Sequence, residues 1–288
     1  MDELISIIIN CHNGEKFLKK CLKSIIDQTY QNWEVIFWDN CSTDRSKNIL
    51  YDFEDKRFKY FKSNNLTNLS TARNLAIKES NGRYVCFLDT DDFWEPTKLN
   101  LQLKIIKKKQ FALVYSNFLF KNLKNNKIKL AEKSIKNLNI INNFLKKYPV
   151  SISSVMFDKK IISDINFDEN YHCIGDFDFV MRTLLKHNIF GIQQPLITVL
   201  IHDNNETQKR FKLYTLELIK WYKKTNNKFL NFKNIKIFKS NIYYEMSKLC
   251  LKEKKYRSFS YLFKKMSLIK KIKIIIIFFS KKLSLSNV

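Results

Sequence analysis

Short apolar runs alternate with amphipathic segments through the first half of the chain, and this alternation restricts the fold more than any other feature. Residues 4–9 and 33–38 are apolar runs of strand length, and the segment between them repeats apolar side chains every three or four residues, as a helix does. Further strands are predicted at 58–61, 83–88 and 112–120. The pattern predicts an α/β fold with a mostly parallel sheet and helices on both faces.

The second half of the chain is less regular. Residues 121–143 are rich in Asn and Lys, and we predict a variable segment there without an assigned structure. A strand at 153–157, a helix at 176–186 and a strand at 191–201 follow. From about residue 205 the pattern is helical only.

Charge divides the chain near the same position. The formal net charge is +25, yet residues 1–120 carry a net charge of only +3, whereas residues 206–288 hold 22 basic and four acidic side chains. Such a basic segment is attracted to a polyanion, either an anionic lipid surface or a nucleic acid, and charge alone does not choose between them. We expect a sheet domain over residues 1–204 and a basic helical region over residues 205–288.

The last helical segment, residues 268–288, mixes apolar residues with lysines. Its apolar run at 274–279 is preceded by Lys270, Lys271 and Lys273, and a helix that spans a bilayer needs about 20 apolar residues. Two interpretations remain. The segment lies on a membrane surface, or it packs into the core as an ordinary helix.

Two features indicate a cytosolic protein. Acidic residues at positions 2 and 3 stand where a secretory signal carries positive charge, and the apolar run at 4–9 is too short for a signal. The six cysteines show no spacing typical of a zinc site or a redox pair, so we expect free thiols.

Polar residues follow the predicted strands at the position where ligands of parallel sheets bind. Asn10, His12 and Asn13 follow the first strand, and Asp39 follows the second. Taken alone, an acid at the end of a strand is often a turn former or a helix cap. The group as a whole predicts a ligand site at this edge of the sheet.

Three carboxylates, those of Asp89, Asp91 and Asp92, occur within four residues after the fourth strand. They repel one another unless a cation lies among them, and oxygen ligands of this kind suit Mg²⁺ or Mn²⁺; a solvated acidic turn is the alternative. A divalent ion completes its shell with water and substrate phosphates, so we expect a diphosphate-bearing substrate. With four glycines and neither a dinucleotide-binding nor a P-loop motif, the chain would rely on the metal for phosphate binding.

Four motifs occur in order along the predicted sheet domain. They are ISIIINCHN at 5–13, WEVIFWDNCSTD at 33–44, TARN at 71–74 and FLDTDD at 87–92. Together they resemble the family 2 glycosyltransferases of GT-A fold over about residues 4–203. The resemblance implies a Rossmann-like sheet, a nucleoside-diphosphate sugar donor, a divalent metal (Mg²⁺ or Mn²⁺) and inversion at the anomeric carbon.

The resemblance also implies roles for individual residues. Asp39 would hydrogen-bond the donor base, and Asp91 would be the principal metal ligand, with Asp89 and His202 beside the metal. Asp176 would be the general base that takes the acceptor hydroxyl proton. The implied donor-binding residues are Asn10, His12, Asn13, Asp39, Arg73 and Asp89.

Three of these residues have an ordinary structural alternative. Arg73 could form a surface salt bridge on a helix, Asp176 could be a plain acid in the first turn of a helix, and His202 could be a structural histidine.

The chain departs from the family pattern at three positions. His12 stands where Tyr is frequent, Asn40 where a second Asp is common, and Gly175 where Glu usually precedes the base. The first two suit a base-binding pocket. The third would alter the acidity of Asp176, because a neighbouring carboxylate is missing.

We therefore predict a glycosyltransferase of surface polysaccharide or lipooligosaccharide synthesis, with nucleotide-sugar binding at about 1–120 and the acceptor and catalytic part at about 144–204. The acceptor would be a glycan or a lipid-linked glycan, met at the inner face of the cell membrane, and no nucleic acid would bind. Two alternatives are a basic nucleic-acid-binding protein, favoured by the charge and aromatic content after residue 205, and a sugar nucleotidyltransferase.

Overall fold

The computed structural model describes residues 3–203, 205 and 209–285. The predicted domain limits at residues 1, 204 and 288 lie outside the described residues. The chain forms two compact units, of which the first comprises residues 1–138 and 149–205, and the second comprises 139–148 and 206–288.

The first unit contains a mixed sheet. Its strands are β1 (Ile5–Cys11), β2 (Trp33–Asp39), β3 (Phe58–Lys62), β4 (Tyr84–Phe87), β5 (Phe93–Trp94), β6 (Leu113–Asn122), β7 (Ile128–Leu130), β8 (Val155–Asp158) and β9 (Ile189–Ile201). They run in the order β3-β2-β1-β4-β8-β6-β9-β5, with β7 paired to β6. The first four pair in parallel, as do β6 and β9, whereas β8 runs antiparallel to both of its neighbours. The predicted α/β fold is confirmed.

Helices cover both faces of this sheet. The helices of the first unit are α1 (Glu15–Ile26), α2 (Ser46–Tyr51), α3 (Leu69–Lys78), α4 (Lys98–Lys109) and α6 (Gly175–Lys186). On one face, Leu22 of α1 and Leu103 of α4 belong to the same buried cluster as Ile7 of β1. On the other, Phe87 of β4 and Phe179 of α6 both contact the ring of Phe167. The central strands are buried on both sides, which explains why they read as continuous apolar runs.

The predicted variable segment at residues 121–143 contains regular structure. β6 continues to Asn122, and exposed β7 pairs with it, Leu130 opposite Leu119. The Asn117 amide donates to the carbonyl of Glu132 at 2.7 Å and anchors the chain after β7. β7 alternates apolar and polar residues, but it is only three residues long and all three are exposed, so the run is too short to indicate a strand.

The second unit is helical in the described residues. Its helices are α5 (Ile140–Lys146), α7 (Phe211–Phe229), α8 (Ile235–Lys252), α9 (Tyr256–Lys265) and α10 (Leu268–Leu285). Asn234, before α8, donates its side-chain amide to the carbonyl of Asn142 in α5, so α5 packs with the C-terminal helices. None of the helices in the described ranges is long and apolar enough to cross a membrane.

A buried carboxylate joins the beginnings of the central strands. Glu34 of β2 accepts hydrogen bonds from the Ser6 hydroxyl at 2.6 Å, from Lys59 at 2.6 Å and from the Asn81 backbone amide at 2.7 Å. These partners lie on β1, on β3 and in the turn before β4. In that turn a Cβ on Gly82 would meet the Leu4 carbonyl oxygen at 2.7 Å, so only glycine fits.

Replacing Glu34 by Gln should destabilise the fold. Burial raises the pKa of Glu34, but the hydrogen bonds from Lys59, Ser6 and Asn81 outweigh burial and lower the pKa to about 2. Glu34→Gln leaves Lys59 without its carboxylate, so we expect a loss of about 2 kcal/mol in the free energy of unfolding at pH 7. Urea denaturation measures this loss.

The same variant has a defined pH dependence. The pKa of Glu34 is lower in the folded protein than in the unfolded chain, so its stabilisation is complete above about pH 4.5 and is lost as pH falls toward 2. The difference between wild type and Glu34→Gln should shrink over that range. Glu79→Gln, at the exposed end of α3, is the matched control and should change little. A difference between wild type and Glu34→Gln that does not depend on pH would contradict this assignment.

The start of α6 packs tightly against α3. A Cβ placed on Gly175 would collide with the hydroxyl oxygen of Ser70, which donates to the carbonyl of Tyr171. Position 175 therefore has no room for a glutamate side chain while Ser70 keeps this conformation. The departure noted at this position has a steric cause.

Gly175→Ala should destabilise the protein by about 1–3 kcal/mol, because the added methyl group meets Ser70. This sign is diagnostic, since replacing glycine by alanine within a helix ordinarily stabilises it. Ser70→Ala removes the colliding oxygen, so the double variant should be more stable than the two single effects predict. Thermal and urea unfolding of the four proteins tests this. Additive effects would show that Ser70 does not set the constraint.

Candidate active site

The site lies where β1, β2 and β4 end side by side. The loops after β1 and β2 are joined by hydrogen bonds, among them Thr43 N–H to the Asn13 side-chain oxygen at 2.8 Å. The loop after β1 also touches the loop after β4, because a Cβ on Gly14 would lie 3.1 Å from Cβ of Thr90. Parallel pairing therefore brings together residues that are up to 80 positions apart in the chain.

Asp39, predicted to bind the donor base, is buried at the end of β2, with 2% of its surface exposed. Its carboxylate accepts from the Tyr60 hydroxyl and from the Ser42 backbone amide, both at 2.7 Å. Burial raises the pKa of Tyr60, and the hydrogen bond to Asp39 raises it further, so the phenol stays protonated and keeps donating.

The three polar residues after β1 occupy different environments. His12 and Asn13 are exposed, and His12 Nδ1 lies 2.9 Å from the carbonyl oxygen of Asn40. Asn13 adopts a left-handed backbone with φ of 56°, which asparagine tolerates better than most residues. The Asn10 side-chain nitrogen is buried without a hydrogen-bond partner in the described part of the chain, and a donor in that state is available to a ligand.

Asn40 has a structural role that its position did not reveal. Its amide nitrogen donates to the Thr67 carbonyl at 2.8 Å, while its oxygen accepts from the Thr67 backbone amide at 3.1 Å. An aspartate could not donate the first of these bonds. Asparagine at this position ties the loop after β2 to the residues that precede α3.

The acidic loop after β4 divides its three carboxylates. Asp92 points inward, is 4% exposed and accepts from the Ser153 hydroxyl at 2.7 Å; burial raises its pKa well above the usual range. The Ser153 oxygen also accepts the Asp89 backbone N–H at 3.1 Å. Asp92 is therefore buried against Ser153, and its share in a cation held with Asp89 and Asp91 stays a prediction.

Arg73 of α3 lies beside the carboxylate of Asp89. It is 4% exposed, and its guanidinium lies 3.6 Å from Asp89 and against the rings of Phe87 and Phe167. This burial rules out the alternative of an exposed surface salt bridge.

The Arg73 charge also reaches Asp176, at the start of α6. Partial burial raises the pKa of Asp89 to about 6 against the opposing Arg73 charge, with further increases from Asp91 and Asp176. Burial likewise raises the pKa of Asp176, and Arg73 again opposes it. These mutual effects mean that Arg73, Asp89, Asp91 and Asp176 share one electrostatic environment.

Asp91 is paired with the residues that follow β9. His202 Nε2 lies 3.0 Å from Asp91 Oδ2, and the Asn205 amide donates to the same oxygen at 3.2 Å. Asn205 Oδ1 accepts the His202 backbone N–H at 2.7 Å, so it orients both partners. The His202 ring also packs on Phe17, with 4.8 Å between centroids.

In the described part of the chain, no three His, Cys, Asp or Glu side chains are close enough to hold a metal ion by themselves. The Asp91–His202 pair is nevertheless compatible with one. Neighbouring ligands of an octahedral ion at 2.0–2.1 Å are about 3 Å apart, which matches the separation of these two atoms. Substrate oxygens and water would have to supply the other ligands.

The six cysteines are free, as predicted. Tyr60, Ser153 and Asn205 contact predicted site residues but were not themselves predicted from the sequence. Tyr60 sits in β3 opposite Phe37 and resembled a core aromatic. Asn205 stands three residues after His202, and that local spacing on a tight turn was the one available signal.

Comparison with known proteins identifies the family. A model described as Glycosyl transferase family 2 matches residues 6–187. The chain is 31% identical over 213 residues to an uncharacterized glycosyltransferase of Haemophilus influenzae, covering 73% of this chain and 84% of that protein. It is also 31% identical over 169 residues to the Escherichia coli UDP-Glc:alpha-D-GlcNAc-diphosphoundecaprenol beta-1,3-glucosyltransferase WfgD, covering 58% of this chain. That match spans 64% of WfgD, less than two thirds of its length.

A solved structure has the same fold. Staphylococcus aureus TarS 1–349 in complex with UDP-GlcNAc superposes with a TM-score of 0.63 at 17% identity, covering 90% of each chain. At this identity the likeness concerns the fold alone. The family match covers residues 6–187, more than half of the chain, and includes Asp39, Asp91 and Asp176 but not His202. The chain belongs to the glycosyl transferase family 2.

Proposed function

We propose that this protein transfers a sugar from a nucleoside-diphosphate sugar to a hydroxyl group of a glycan or a lipid-linked acceptor, with inversion at the anomeric carbon. The observation that carries the proposal is the meeting of Asp91 with His202, beside Asp89, Arg73 and Asp176, at one edge of the sheet. The glycosyl transferase family 2 match supports a nucleotide-sugar donor, and the E. coli relative WfgD is named for UDP-Glc as its donor.

Asp91 and His202 are the residues proposed to hold a divalent ion, Mg²⁺ or Mn²⁺, with Asp89 beside them. Such an ion, when bound, would stabilise the negative charge on the departing diphosphate. The chain offers few other groups for this task, since it has four glycines and no phosphate-binding loop.

The donor base and ribose are proposed to bind in the loops after β1 and β2. Asn10 has a buried amide nitrogen that no described residue accepts, so it can donate to the nucleotide. Asp39 accepts hydrogen bonds from the Ser42 backbone amide and the Tyr60 hydroxyl, and its remaining lone pairs can accept from a base N–H. His12 and Asn13 are exposed beside them and would line the same pocket.

Asp176 is proposed as the general base. The acceptor oxygen forms a bond to the anomeric carbon from one side while the bond to the diphosphate oxygen breaks on the other, and this inverts the configuration. The hydroxyl proton moves to Asp176, and the electron pair of the broken bond leaves with the nucleoside diphosphate. A pKa raised by burial makes Asp176 a stronger proton acceptor than an exposed aspartate.

The proposed setting is surface-polysaccharide or lipooligosaccharide synthesis at the cytosolic side of a membrane. The E. coli relative WfgD is named for an acceptor joined to undecaprenol through a diphosphate. The basic second unit suits the surface at which such acceptors are presented.

Asp91→Asn should abolish metal-dependent donor binding. We expect a panel of nucleoside diphosphates and nucleotide sugars to include one that raises the melting temperature of the wild type only with Mn²⁺ or Mg²⁺. Asp91→Asn should remove that increase. Asp203→Asn is the matched control. Asp203 directly follows His202 in the chain, and its exposed carboxylate pairs with Lys124. A metal-dependent increase that survives Asp91→Asn would exclude Asp91 as a ligand.

Asp176→Asn should lower kcat by about 10²–10⁴-fold, because asparagine cannot accept the hydroxyl proton. Donor binding should be retained, because the substitution leaves the donor pocket unchanged. Steady-state sugar transfer and the thermal-shift assay measure the two effects separately. Full activity in Asp176→Asn would contradict its role as the base. Release of pyrophosphate from a nucleoside triphosphate by the wild type would instead indicate a nucleotidyltransferase.

A further inference from the structure

We propose that α10, together with the lysines around it, forms a binding surface for an anionic lipid bilayer. The apolar part of this surface is a stripe on α10, hereafter the α10 stripe. It is made of Leu268, Ile269, Ile272, Ile275 and Ile276. The proposal concerns where the second unit binds and does not depend on the transferase chemistry.

The α10 stripe occupies one side of the helix. Its residues are spaced by one, three and four positions, which places them on a single helical face. Their exposed fractions run from 41% to 72%. Ile274, on the other side, is fully buried, so packing within the second unit fixes which face is outward. Contiguous apolar surface of this kind is uncommon on a soluble protein and marks a site of interaction.

Positive charge surrounds the α10 stripe. After Glu253 the chain contains ten basic residues and no acidic one. Lys264, Lys265 and Lys273 are exposed. Glu253 already pairs with two lysines, Lys212 at 3.1 Å and Lys255 at 2.7 Å, so it does not offset the charge near α10.

This combination of groups suits a bilayer better than a nucleic acid. A basic helix with an apolar face inserts that face at the boundary between headgroups and acyl chains, while its cations contact anionic headgroups. Nucleic acids bind basic surfaces through phosphates and through bases stacked on aromatic rings, and isoleucine and leucine offer no such ring. Against a nucleic acid, the α10 stripe would remain exposed to water.

The test is co-sedimentation of the full chain with vesicles of phosphatidylcholine, with and without phosphatidylglycerol. The wild type should bind only the vesicles that contain phosphatidylglycerol, and less at high salt. A triple variant with Ile269, Ile272 and Ile276 each changed to Asn should bind at least about tenfold more weakly, since three side chains lose their insertion.

A matched control carries the same number of changes elsewhere in the second unit. Leu216, Leu230 and Ile237 are exposed by 40–58% and lie outside α9 and α10, so their change to Asn should leave vesicle binding within about twofold. If the α10 triple variant does not fold, the single variant Ile272→Asn carries the test, with an expected loss of about threefold.

Three results would overturn the proposal. They are no binding of the wild type to vesicles that contain phosphatidylglycerol, equal loss in the control variant, and binding by the α10 variant at the wild-type level. A further result would be that a single-stranded oligonucleotide displaces the vesicles equally well from the wild type and from the α10 variant, while both proteins bind vesicles equally. That result would indicate a nucleic-acid surface instead.

Discussion

The buried carboxylate of Glu34 is the interaction on which the geometry of the site depends. It binds groups at the beginnings of β1 and β3 and in the turn before β4, and therefore fixes how these strands align. Because parallel strands are nearly rigid over a few residues, alignment at one end sets alignment at the other. At that other end Cys11 pairs with Asp39, and the Leu88 amide bonds to the Ile8 carbonyl. The site loops emerge from these aligned ends.

The strands and helices of the first unit could be predicted because their signals are local. Alternation, helical spacing and the residues that end each strand all act within a few positions, and they placed Asp39 and the acidic residues 89–92 at the ends of β2 and β4, as observed. The contacts that complete the site act over longer distances. Asn205 is 114 residues from Asp91, and Ser153 is 61 residues from Asp92. β7 was missed for a different reason: it is exposed and only three residues long, so its local pattern is too short to indicate a strand.

Electrostatics gives the site its character. One buried guanidinium, Arg73, faces the carboxylates of Asp89 and Asp176, while Asp91 relies on a histidine and an amide. The Asp92 side chain points into the core, where burial raises its pKa and favours the neutral form, so its repulsion with the other carboxylates is reduced. The three carboxylates that remain, those of Asp89, Asp91 and Asp176, outnumber the one fixed positive charge beside them. Burial contributes most to the raised pKa of Asp89, and the charges of Asp91 and Asp176 raise it further. A cation or a donor-bound metal would relieve it.

Net charge differs strongly between the two ends of the chain, and the charges act in different ways. The first 120 residues carry a net charge of +3, which suits a sheet that must bury both faces and keep its few charged groups paired around a site. Residues 206–288 carry +18, a charge that no buried pairing could absorb and that acts at long range on polyanions. Long-range attraction between exposed charges is screened by salt, whereas the buried pairs of the site are screened far less. Ionic strength should therefore change where the chain binds more than it changes the chemistry at Asp91 and Asp176.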